Sequence, residues 1–338
     1  MTIKIGINGL GRIGRSVLRA WLEYQRNDVE IVALNAPGDT ATHLHLLRYD
    51  SVHGRAPYNI EKVENGLMLG DRFIRVVAER DPTCLDWAAL GVDLVFECSG
   101  KFTKRSDAAV HIAQGARKVM VSAPSDGADA TIVYGVNNAM LSSYHEVISV
   151  GSCTTNCLAP IAMVLDQALG IEYGFMTTVH AYTNDQNILD GTHKDLRRAR
   201  AAAMSMVPTS TGAAKAIGLV LPQLTGKLAG SAVRVPTPNV SMVDFVFHAA
   251  RLTNKEEVNQ FFIEASATDT LCGILAVERD PLVSIDFTHQ PYSSIVDLKE
   301  THVVGDRLVR VVSWYDNEWG FSVRMLDLAA YWAKVMGL

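Results

Sequence analysis

The sequence predicts an α/β fold, with a doubly wound, mostly parallel sheet over the part up to about residue 150. Three observations carry this expectation. An apolar alternating stretch, Ile3 to Asn8, runs into Gly9-Leu10-Gly11-Arg12-Ile13-Gly14 and then into a helical pattern through Tyr24. Downstream, apolar strand-like runs alternate with helical ones, the order in which such a sheet is built. With 338 residues, 48% of them apolar and 20% charged, the chain has the length and balance of roughly two globular domains.

Taken in order, the first element is strand, glycine turn, helix. Gly9 allows a tight turn, Gly11 lets backbone approach a pyrophosphate, and Gly14 lets helix and strand pack closely, with the phosphates meeting the helix N-terminus. An ordinary glycine turn fits the same letters, so context matters. A second strand, "VEIVALN" (Val29 to Asn35), ends about twenty residues past the glycines, where a Rossmann dinucleotide-binding domain presents a ribose-contacting group. Later strands "VDLVFECSG" (Val92 to Gly100) and "KVMVSAP" (Lys118 to Pro124) flank a helical "KRSDAAVHIAQGA". The second strand ends Asn35-Ala36-Pro37-Gly38-Asp39, without an acid at the ribose position, which loosens the case for strict NAD. Asp39 remains a candidate to reach back to the ribose.

Composition narrows the function classes. A net charge of −5 gives no general term for nucleic-acid binding; the clearest basic cluster is "KDLRRAR" (Lys194 to Arg200). No run of about 18 apolar residues occurs, and "MTIKIGINGLGRIG" lacks the blocks of a signal peptide, so the expectation is a cytoplasmic protein off the membrane. Five cysteines, an odd number, fit a reducing compartment better than a disulfide framework.

In "VISVGSCTTNCLAP" a strand ends near Val150, Gly151-Ser152 turn, and a helical pattern follows. Cys153 therefore falls at a helix N-terminus, where unpaired N–H groups and the dipole are expected to lower a thiol's pKa. Cys157 lies one turn deeper, among apolar neighbours, as packing. Zinc lacks a second ligand pair, and a redox couple generally uses Cys-x-x-Cys, so no metal is expected. A thiol nucleophile needs a base, and His180 follows an apolar strand-like run, Phe175 to Val179. A hydrogen-bonded core histidine is the alternative. "PTSTGAAKA", with Ser210, Thr211 and Gly212 ahead of a helix, and "SAVRVPTPN", with Arg234 in a strand, offer donors for oxyanions. Together these point to a phosphorylated substrate.

These segments, with "YDSVHGR", "HAYTNDQ", "HKDLRRARAAA", "PLVSIDF" and "WYDNEWGFS", resemble the phosphorylating glyceraldehyde-3-phosphate dehydrogenases along nearly the whole chain. The resemblance implies that Cys153 attacks the aldehyde, that His180 takes the hydroxyl proton, and that inorganic phosphate cleaves the resulting thioester to 1,3-bisphosphoglycerate. It places the substrate phosphate on Thr183 and Arg234. The attacking phosphate falls to Ser152, Thr154, Thr211 and Gly212, with Arg198 a further member. For the cofactor it implies Arg12 and Ile13 on the pyrophosphate side and Asn317 on the nicotinamide, with Asn35, Ala36 and Arg80 completing the set. Ser99 and Ser122 follow strands where the cofactor would lie, and equally fit loop caps. The implied domains are 1–151 with 316–338, binding the dinucleotide, and 152–315, an α+β catalytic domain with a mixed sheet; the implied assembly is a homotetramer.

Two departures bear on the cofactor. NAD-preferring members carry an acid where Ala36 stands and a Leu-Pro pair where Gly191-Thr192 stands, and Thr192 can hydrogen-bond a 2′-phosphate. The expectation is NAD use with appreciable NADP use. Rival readings are an erythrose-4-phosphate dehydrogenase with the same thiol chemistry and a non-catalytic dinucleotide sensor; intact Cys153 and His180 argue against the second.

Overall fold

A computed structural model describes residues 2–338. The chain forms two compact units, one of residues 1–134, 138–151 and 322–338, the other of residues 135–137 and 152–321. Among the described residues no helix is long and apolar enough to cross a membrane.

The first unit is built on a nine-stranded sheet. Across it run Ala130–Thr131, Val147–Ser149, Lys118–Val121, Leu94–Glu97, Ile3–Asn8, Val29–Asn35, Arg72–Val77, Gly66–Leu69 and Ile60–Val63. All neighbours pair in parallel as far as Arg72–Val77; the last two strands add antiparallel. Helices on the faces of a parallel sheet leave its central strands nearly apolar, and Leu94–Glu97 and Lys118–Val121 are buried throughout. The strand order reverses between Ile3–Asn8 and Leu94–Glu97, which opens a crevice at the carboxyl ends of the strands.

At that reversal the glycine turn is forced by close approach. Gly9 has φ +97°, and a Cβ there would fall 2.6 Å from the Ser99 backbone. A Cβ on Gly14 would fall 2.2 Å from the Gly9 carbonyl oxygen. The helix Arg12–Glu23 can leave the strand so tightly only because both side chains are absent, and it buries Val17, Leu18, Ala20 and Trp21. The expected helical run before Lys118 appears as two short turns, Arg105–Ala108 and Val110–Ala113, with Ala109 still αR between them.

The second unit carries a seven-stranded mixed sheet, in the order Val207–Thr209, Leu228–Val235, Ile171–Ala181, Ser241–Ala249, Leu308–Tyr315, Ser294–Val304 and Leu275–Glu278. Two pairs are parallel and the rest antiparallel. Strict alternation of burial along Ser241–Ala249 shows one face turned to the core. That core includes the helix Cys153–Leu169, buried along most of its length and ended by Gly170 at φ +70°.

Candidate active site

Two side chains meet where the second unit's buried helix begins. Ser152 caps the helix, its Oγ accepting from the Thr155 N–H at 3.1 Å, so Cys153 is the first helical residue. His180 sits near the end of the strand Ile171–Ala181, 5% exposed. Cys153 Sγ and His180 Nε2 lie 3.5 Å apart. The strand register sets Arg234 directly beside His180.

The ring orientation follows from its other nitrogen. His180 Nδ1 lies 2.7 Å from the Ala181 carbonyl oxygen, which also accepts from Arg234 Nη1 at 3.0 Å. Arg234 Nη1, which can only donate, also lies 2.8 Å from Nδ1, so Nδ1 stands between a carbonyl oxygen and a guanidinium while Nε2 faces the sulfur. Burial, and then the Arg234 charge, push the imidazole down to about 3, so the ring is neutral near pH 7.

The thiol corrects an expectation. A helix N-terminus does face Cys153, and the Arg234 charge and the Thr154 N–H favour the thiolate, yet burial outweighs them and raises the thiol above its ordinary value. Cys157 is pushed up to about 12 by burial; its Sγ lies 3.6 Å from Ser294 Oγ, inside the core. All five cysteines are free, and among the described residues no cluster of three or more histidine, cysteine or acidic side chains is set to hold a metal.

A buried tyrosine ties the Cys153 helix to the His180 strand. Tyr315 Oη lies 2.9 Å from Thr154 Oγ1 on the helix and 2.9 Å from Thr178 Oγ1 on the strand of His180. Neither Tyr315 nor Thr178 stands out in the sequence. The available signal is spacing: Thr178 shares a strand face with His180 two residues on.

The phosphate candidates gather in the same unit with differing engagement. Thr211 Oγ1 accepts from the Ala213 N–H at 3.2 Å, ahead of the helix Ala213–Val220, and Gly212 has open space where a Cβ would stand. Thr183 donates its N–H to Gln186 Oε1 at 3.0 Å. Arg198 is tied to Asp185 at 2.6 Å and to Thr209 Oγ1 at 2.9 Å. Among the described residues, Arg234 Nε is buried with no hydrogen-bond partner, an orphan donor of the kind an anion satisfies. Asn317 Oδ1 accepts from Ser241 Oγ at 2.8 Å, and that hydroxyl oxygen accepts from the Ala181 N–H at 3.1 Å.

The first unit holds a cavity of about 340 Å³ at the carboxyl ends of its strands. Gly9, Gly11, Asn35, Ala36, Arg80 and Ser99 line it, and so do His43, Glu79 and Lys101, which sequence reasoning passed over. The Gly11 Cβ position is open, with a carbonyl oxygen no nearer than 4.0 Å, so a phosphate can come close to the backbone and the helix N-terminus behind it. These features fit a dinucleotide. Arg12, Ile13, Gly14 and Ser122 are not among the lining residues. Arg12 instead forks the Asp50 carboxylate at 2.5 and 3.1 Å, and Ser122 Oγ donates to the Glu97 carbonyl at 2.9 Å as a strand-end cap. Asp39 accepts from the Ala41 and Thr42 N–H groups as a helix cap, so its carboxylate is occupied locally. Thr192 is exposed in the second unit.

Comparison with known proteins agrees along the chain. Residues 3–105 match the model of the glyceraldehyde 3-phosphate dehydrogenase NAD binding domain, and residues 152–317 that of the C-terminal domain. A glyceraldehyde-3-phosphate dehydrogenase of Xanthobacter flavus is 57% identical over 335 residues, covering 99% of this chain and all of that protein. Those of Cereibacter sphaeroides and Pseudomonas aeruginosa are 56% and 55% identical, covering 99% and 97% of this chain and 100% and 98% of their own lengths. A Rossmann unit with a cavity at its strand ends, a second unit that sets a cysteine against a neutral histidine, and relatives matched end to end lead to one conclusion: the chain belongs to the glyceraldehyde 3-phosphate dehydrogenase family, NAD-dependent oxidoreductases.

Proposed function

We propose that the protein oxidises D-glyceraldehyde 3-phosphate with inorganic phosphate and NAD, and with NADP to an appreciable extent, through a thioester on Cys153. The observation that carries the reading is the 3.5 Å approach of Cys153 Sγ to Nε2 of the neutral His180 ring. Cys153 sulfur adds to the aldehyde carbon, and the thiol proton passes by way of His180 Nε2 to the carbonyl oxygen, giving a hemithioacetal hydroxyl and leaving the imidazole neutral again. The backbone N–H of Cys153, at the helix N-terminus, steadies the oxyanion. His180 Nε2 then removes the hydroxyl proton as the carbon–hydrogen bond gives up its electron pair, leaving the acyl group on sulfur. Bound dinucleotide supplies the hydride acceptor. An oxygen of inorganic phosphate attacks the thioester carbonyl, and the thiolate leaves.

Arg234 and Thr183 hold the substrate phosphate in this reading, the orphan Nε of Arg234 being the supporting feature. Ser152, Thr154, Thr211, Gly212 and Arg198 serve the attacking phosphate, and Asn317 the nicotinamide. NADP use rests on Ala36, which sets no carboxylate against a 2′-phosphate, and on Arg80 beside it in the cavity wall. Assembly as a homotetramer is supported by five large apolar side chains, Ile188, Leu189, Leu196, Met204 and Met206, each more than 70% exposed in one stretch.

The test is reduction of NAD and NADP by the purified protein with glyceraldehyde 3-phosphate, with and without phosphate, beside erythrose 4-phosphate. Phosphate-dependent turnover that disappears in Cys153→Ser is expected. A faster rate with erythrose 4-phosphate, or turnover surviving the substitution, overturns the reading.

A further inference from the structure

We propose that Glu97 is a positioning residue for the cofactor cavity: its buried carboxylate fixes the hydrogen-bond direction of the strand ends that form the cavity wall. The proposal rests on the reading that this cavity takes the dinucleotide. Glu97 is 1% exposed and His111 is fully buried, and neither belongs to the thiol site. Four donors converge on the carboxylate. Oε2 accepts from Asn8 Nδ2 at 2.6 Å and from His111 Nε2 at 3.0 Å; Oε1 accepts from the Ser99 N–H at 2.7 Å and from the Ser99 hydroxyl.

The sense of every bond follows from groups that have no choice. Trp87 Nε1 can only donate, and it donates to His111 Nδ1 at 3.1 Å, so the imidazole proton sits on Nε2, facing Glu97. Asn8 turns its amide nitrogen to Glu97 and therefore its Oδ1 to Asn35 Nδ2, at 2.8 Å. Asn35 Nδ2 also donates to the Glu79 carbonyl at 2.9 Å, and Asn35 Oδ1 accepts from the Glu79 N–H at 2.8 Å. Asn8, Asn35, Glu79 and Ser99 all line the cavity. Ser99 is held from the other side as well, since the Gly9 turn lies against its backbone.

A carboxylate is an expensive way to fill a core, because burying a charge costs free energy that an apolar group does not. What it adds is a site that accepts from every side, and so dictates the direction of a whole chain of amides. Glu97→Gln keeps the shape and introduces an amide nitrogen among these donors, so at least one pair becomes donor against donor.

The experiment measures the NAD dissociation constant of the intact protein by calorimetry, together with kcat, both KM values and the unfolding midpoint. For Glu97→Gln the expected result is about a tenfold or greater rise in the Kd and KM for NAD, with kcat at saturating NAD and the KM for the aldehyde within about twofold. A merely structural role lowers the unfolding midpoint and leaves the NAD Kd within about twofold, which overturns the proposal. If Glu97→Gln does not fold, Trp87→Phe releases the His111 tautomer from outside the cavity; about a threefold rise in Kd supports the proposal and no rise overturns it. Gly11→Val, which places an isopropyl group in the open cavity wall, separates the two readings. Unchanged binding there removes the cavity assignment itself, whereas weakened binding there with unchanged binding in Glu97→Gln removes only the role of Glu97.

Discussion

Tyr315→Phe removes one oxygen from the point where the helix of Cys153 meets the strand of His180. Its phenol is the shared partner of Thr154 and Thr178, each at 2.9 Å and each no more than 4% exposed. Two buried hydroxyls lose that partner at once. A buried polar group left unpaired costs about 1–3 kcal/mol, and a threonine recovers part of that by turning to a backbone carbonyl. The expected net loss is about 2–4 kcal/mol, read as a lower urea midpoint at unchanged m-value. The control is the triple variant Thr154→Val, Thr178→Val, Tyr315→Phe, which removes every member of the cluster with near-isosteric groups. If the cost arises from unpaired hydroxyls, the triple variant is more stable than Tyr315→Phe alone. A triple variant less stable by the sum of its parts would refute the reasoning.

Three further outcomes follow from the same geometry. His180→Asn is expected to lower kcat by about 10² to 10⁴ with little change in either KM, since the base acts in the transition state; a KM effect alone would assign it to binding. Burial raises the Asp50 carboxyl, but hydrogen bonds from Arg12 and from the His53 and Val52 N–H groups outweigh it and hold it at about 2. Its folded value lies below the unfolded one, so it contributes about 2 kcal/mol above pH 3.8 that is lost as pH falls through 2; the stability gap between the protein and Asp50→Asn should narrow from pH 7 to pH 3 in urea titrations. Ala36→Asp is expected to cut kcat/KM for NADP by about tenfold or more while sparing NAD, and equal losses with both cofactors would count against a 2′-phosphate near residue 36.

Much of this molecule is local enough to be legible in its sequence. The glycine turn is a matter of backbone sterics within six residues, and the cap and periodicity around Cys153 are equally short-range. His180 is flagged by the strand before it. Tyr315 was invisible because its partners lie 161 and 137 residues away and only the folded sheet brings them together. The Cys153 shift runs opposite to what its helix position alone predicts for a related reason: a helix terminus is a local feature, whereas desolvation is summed over every element packed around the sulfur. Asp39 shows the same limit, since the carboxylate that could reach back to a ribose is a helix cap in the fold.

The turn at Gly9 and Gly14 changes what such a fingerprint testifies to. Of its three glycines, only Gly11 has open space where a side chain would go; the other two are fixed by protein atoms 2.6 Å and 2.2 Å away. Selection for folding alone would therefore preserve them in a descendant that had lost its cofactor entirely. In such a lineage the first and third glycines would outlive the activity, and the middle one would be free to drift.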